Sequence, residues 1–148
     1  MGLDMYLNGE RYHMEPRPRQ KDKPVMEQYQ LGYWRKHPDL HGFIVQTFAD
    51  GRDDCQQIEL SRVQLEQIIN AVEADALPRT KGFFFGESYK PGDDEDEFID
   101  LATMQKVTVT DCYVNQKAED LKILREAIEW LEIKEPDVWR SVHYRASW

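Results

Sequence analysis

The chain has 148 residues, a formal charge of −9 and 41% apolar residues, the length of one domain and enough apolar content for one ordinary core. Its longest apolar runs, such as Phe83 to Phe85, are too short for a bilayer span or a signal-peptide core, so a cytosolic chain without a membrane partner is expected. The acidic balance disfavours a general nucleic-acid binder, which gains affinity from clustered Lys and Arg against phosphates.

The first element is a strand, because Leu3, Met5 and Leu7 alternate with Asp4, Tyr6 and Asn8. Residues 15–24, EPRPRQKDKP, read as an exposed loop with extended character. Pro38 suits the first turn of a helix, Leu40, Phe43, Ile44, Thr47 and Phe48 follow at helical spacing, and Asp50-Gly51 supplies the stop. A brief strand over Gln57 to Leu60 leads to Ser61, an N-cap with Gln64 three residues on, and then the stripe Leu65, Ile68, Ile69 and Val72.

The run KGFFFG, residues 81–86, predicts a strand from its aromatic content, and residues 87–97 an exposed acidic loop. VTVTDCYV at 107–114 alternates like another strand, and Leu121, Leu124, Ile128 and Leu131 mark the clearest helical stripe. The tail from Asp137 to Trp148, rich in aromatic and β-branched residues, is expected either to return as a strand or to dock on the body instead of fraying. Strands and helices mix without regular β-α alternation, so the expected fold is a single α+β domain, residues 1–148, with a mainly antiparallel sheet packed against about three helices.

Chemistry concentrates in GYWRKHPDLH, residues 32–41. Trp34 and Arg35 have the groups to stack on and clamp a planar anion, with Lys36 adding charge at the start of a helix. The plain alternative is a core tryptophan with solvated Arg35 and Lys36. His37 and His41 stand four apart, a spacing that zinc sites use, with Asp53, Asp54 or Cys55 as the only nearby completing ligands. No metal is expected, since His41 shares a ridge with Ile44 and Phe48 and reads as a hydrogen-bonded histidine at the core boundary.

Cys55 raises a nucleophile reading, with His41 as base and Asp54 orienting the imidazole; its alternative is an inert thiol after a turn. Cys112 and Cys55 are both expected to stay reduced. The acidic run lacks the ligand alternation and glycine of a calcium loop. Lys81 to Phe85 partly imitates the aromatic motif of RNA-binding sheets, but Phe84 stands where a small residue belongs.

The combination of MGLDMYL at the start, GYWRK followed by His41, DDC at 53–55 and GFFFG at 82–86 resembles a family of small phage and prophage proteins. The resemblance spans residue 1 to about residue 88 and implies an accessory protein acting in the host cytosol, without an activity of its own to carry over. It also implies that Trp34, Arg35, Lys36, His41, Asp54 and Cys55 belong together.

The leading expectation is a non-catalytic binder of a small anionic or nucleotide-like ligand, in a pocket of Trp34, Arg35, Lys36, His41 and Asp54 beside Phe84, needing no cofactor and serving counter-defence. Two alternatives stand beside it. One is a hydrolase or transferase using Cys55, His41 and Asp54; the other is an acidic module that binds a host protein.

Overall fold

The computed structural model describes residues 2–14, 25–82, 85–86, 88–90 and 97–148, with the backbone alone at 97–100 and 107. Phe83, Phe84, the loop at 15–24 and most of the acidic stretch at 87–97 therefore lie outside the described residues.

Strand β1, Asp4–His13, pairs antiparallel with β2, Met26–Arg35, on one side and with β6, Val138–Ser147, on the other. The two-residue strand β3, Ile58–Glu59, adds to the far edge of β6, giving a sheet of order β2-β1-β6-β3. A separate hairpin joins β4, Glu97–Asp100, to β5, Gln105–Thr108. Three helices complete the described elements: α1, Pro38–Phe48; α2, Arg62–Glu73; and α3, Val109–Glu132. The molecule is a single α+β domain with an antiparallel sheet.

The alternation expected of β1 sends Leu3, Met5 and Leu7 to an inner face, where they are fully buried. Cross-strand register places Trp34 and Gly32 beside them on β2 and Ala146 and Tyr144 on β6. Leu40 and Ile44 of α1, Leu65, Ile68 and Val72 of α2, and Ile123, Leu124 and Ala127 of α3 close over this face in one core. The branched side chain of Ile123 on α3 packs so closely on the β2 backbone that a Cβ on Gly32 would sit 2.2 Å from Ile123 Cγ2, which favours glycine there.

Strand β2 carries a bulge. Leu7 pairs with Gly32 and Asn8 with Gln30, leaving Leu31 as the extra residue. Along β2 the period of two therefore slips by one, which keeps Trp34 inward while Tyr33, Gln30 and Gln28 point outward.

Helix starts follow the chain chemistry. Ser61 and Gln64 form the expected capping box, with Ser61 Oγ accepting the Gln64 N–H at 3.2 Å and Gln64 Oε1 accepting the Ser61 N–H at 2.9 Å. A second box corrects the strand expected over 107–114. Thr108 Oγ1 accepts the Asp111 N–H at 3.1 Å and Asp111 accepts the Thr108 N–H, so the strand ends at Thr108 and residues 109–114 are the first turns of α3.

The strand expected over 81–86 is also corrected in its described part. Lys81, Gly82, Phe85 and Gly86 belong to no strand, and the Phe85 N–H donates to the Gly82 carbonyl at 3.1 Å. Gly86 has φ +84°, and a Cβ there would meet Lys36 Cβ at 2.8 Å, so this glycine serves a left-handed turn and a close approach together.

Candidate functional site

Helix α1 starts at the end of β2 and gathers the buried polar groups of the inner side. His37 is its N-cap residue and Pro38 opens the first turn, so His37, Asp39 and His41 all enter the protein near one helix end. Each finds a different partner.

His37 Nε2 lies 2.7 Å from Asp120 Oδ2 on α3, and the indole N–H of Trp34 donates to Asp120 Oδ1 at 2.8 Å. All three residues are buried, so one carboxylate ties the end of β2 and the start of α1 to α3. Asp39 accepts the Thr80 N–H at 3.0 Å and the Ser88 hydroxyl, which holds the described residues after Leu77 against α1.

His41 is 1% exposed and uses both ring nitrogens. Asp53 Oδ2 stands 2.9 Å from Nε2 and the Tyr144 hydroxyl 2.6 Å from Nδ1. A carboxylate only accepts, so Nε2 carries the proton and Nδ1 accepts from Tyr144. Phe85 packs edge-on against the imidazole with ring centres 5.0 Å apart, and Trp148 lies 6.0 Å away. Burial raises the Tyr144 hydroxyl well above its ordinary pKa, with the nearby Asp53 charge adding to the effect.

Beside this network runs a narrow cleft lined by His41, Asp53, Cys55, Arg52, Gln56 and Tyr144. Its free volume is about 10 Å³, room for about one water. Cys55, held at φ +59°, therefore shares a cleft with His41. Neither imidazole nitrogen is spare to take its proton, and the carboxylate on His41 is Asp53, whereas Asp54 is exposed and stands 3.6 Å from Arg52. Among the described residues no group of three or more His, Cys, Asp and Glu is placed to hold a metal ion.

The residues singled out from the sequence thus separate. Trp34 and His41 are buried in different hydrogen-bonded networks, Arg35, Lys36 and Asp54 are exposed, and Phe84 lies outside the described residues. Sequence reasoning passed over Asp120, Tyr144 and Asp39 because each partner comes from a distant part of the chain. Asp53 had a signal in the DD pair but no spacing rule to choose it over Asp54.

The outer face of the sheet is different in kind. Its middle rows are polar: Asn8 lies between Gln30 and His143, and Glu10 between Gln28 and Ser141. Glu10 is 5% exposed and braced, accepting the Tyr12 hydroxyl at 2.7 Å and standing 3.1 Å from His143 Nε2, which is also 2.8 Å from Ser141 Oγ. The bond to Glu10 raises the Tyr12 hydroxyl's pKa.

Aromatic rows close both ends of this face. Tyr33, Tyr6 and Arg145 are directly adjacent across three strands at one end, the tyrosine rings 5.4 Å apart, and Tyr33 donates to Asp4 at 2.6 Å. Met26, Tyr12 and Trp139 form the row at the other end, where Trp139 is 58% exposed. Gln28, Gln30, Tyr33 and Arg145 are exposed as well.

No described helix is long and apolar enough to cross a membrane. No family model, curated protein or solved structure matches the chain.

Proposed function

We propose that the protein is a non-catalytic binding module that works through the outer face of its sheet. One observation carries this reading: exposed aromatic and amide side chains stand in ordered rows on that face, whereas the histidines and Asp53 of the inner side are already bonded to the protein. Groups that are exposed and held on strands retain unspent hydrogen-bonding capacity and fixed geometry, which is what recognition requires. An accessory role of the kind the phage-like motifs imply is compatible with such a module.

The anion-binding reading built on Trp34, Arg35 and Lys36 loses support because the Trp34 ring is buried and its N–H is taken by Asp120. The cysteine-enzyme reading loses support because His41 has no free nitrogen.

Thermal-shift screening against panels of nucleotides, oligosaccharides and peptides tests the module. A stabiliser is expected whose effect disappears in the double variant Tyr33→Ser, Trp139→Ser and persists in Cys55→Ser. A stabiliser with the opposite dependence, or none in any panel, would refute it.

A further inference from the structure

We infer that the outer face binds a neutral oligosaccharide chain laid along strand β1, an inference that rests on the module reading and names its ligand class. Tyr6 and Tyr12 mark the two aromatic ends of the strip on this one strand. Six residues of antiparallel strand separate them by roughly 20 Å, a span that accommodates several sugar rings end to end.

The pattern of the strip selects the ligand. Protein interfaces generally have an apolar centre and a polar rim. Here the order is inverted, with Asn8, Gln30, Gln28 and His143 in the middle and aromatic rows at the ends. A sugar chain offers the matching surface, since its C–H faces lie on aromatic rings while its hydroxyls both donate and accept. Asn and Gln amides do the same, so either polarity of a hydroxyl finds a partner. Glu10 is itself buried, and by accepting from Tyr12 and standing against His143 it fixes the positions of these two side chains on the strip.

Charge excludes the other extended ligand that stacks on aromatic rows. Arg35 and Arg145 on this face are outnumbered by Asp4, Glu10 and Glu59, in a chain of net charge −9. A phosphate backbone needs an excess of cations and gains its affinity from counterion release. A neutral chain has no such need, and its binding is insensitive to salt.

Affinity electrophoresis of the full chain through gels cast with β-glucan, xylan or galactomannan, with a neutral glycan array beside it, tests the assignment. The expected result is retardation by at least one polymer, unchanged by added salt, and weakened roughly tenfold in Trp139→Ala or Tyr33→Ala, the scale of losing one buried aromatic contact. Circular dichroism melting confirms that these surface variants fold. Retention by no neutral glycan overturns the inference. So does binding to single-stranded nucleic acid that falls with salt, or self-association lost in the face variants. The last two results would leave the module reading standing, whereas unresponsive face variants in every panel remove both.

Discussion

The two faces of one sheet use the same residue types to opposite ends. Against the inner face His37 and His41 of α1 are closed in by Asp120, Asp53 and Tyr144, while on the outer face His143, bonded on one nitrogen, stands in a row with half-buried Asn8 and exposed Gln30. Buried polar groups are costly unless every one is paired, so the inner set specifies how the elements dock. On the outer face Glu10 and Ser141 are likewise buried and paired, whereas Gln28, Gln30, Tyr33, Arg145 and Trp139 stand in solvent, where their exposed groups are free to meet a ligand. A histidine in a motif therefore says little about function until its partners are known.

The largest expected effect breaks the inner side. Asp120→Ala strands the Trp34 N–H and His37 in the core and should cost about 3–5 kcal/mol, read as a lower urea midpoint. Gly32→Ala drives a methyl group into Ile123 and should cost about 2–3 kcal/mol by the same measurement.

Tyr144→Phe removes the donor to His41 Nδ1, at about 1–2 kcal/mol. It also sharpens the comparison through pH. The folded protein holds the Tyr144 proton above the ordinary pKa of 10.0, so that contribution is complete below this value and is lost as pH rises past it. Melting temperatures of the variant should fall less steeply on the alkaline side than those of the parent.

A smaller effect is expected at the helix surface. Asp75 sits below the ordinary carboxylate pKa of 3.8, first through the Tyr113 hydroxyl at 2.6 Å and then through Lys117 at 2.9 Å. Its contribution is present above that value and disappears as pH falls through the depressed pKa. Asp75→Asn should therefore flatten the acid limb of a melting curve followed down from about pH 5, modestly and less so at high salt. The smallest effect belongs to the outer face, where Trp139→Ala should change stability by no more than about 0.5 kcal/mol while still removing binding.

Local chemistry was readable where it was regular. Strand β1, helices α1 and α2 and the Ser61 box follow from period and capping, while the β-branched and aromatic residues of the tail left β6 as one of two readings. Strand β2 was missed because the Leu31 bulge puts Leu31 and Gly32 out of step with the alternation on either side. The start of α3 was misread although T-x-x-D at Thr108 to Asp111 is a capping signal, because VTVT imitates a strand. The candidate site was less legible, since register across strands, and not spacing within one, collects Tyr6, Tyr33 and Arg145.

The sequence by itself determined a single acidic α+β domain and most of its elements, because hydrophobic period and capping act over a few residues, and it left His41 between a core-boundary role and a ligand pocket. Only the tertiary structure decided that His41 answers to Asp53 and Tyr144 and that Trp34 answers to Asp120. Those partners lie as many as 103 positions apart, where no local pattern reaches and close packing makes the choice.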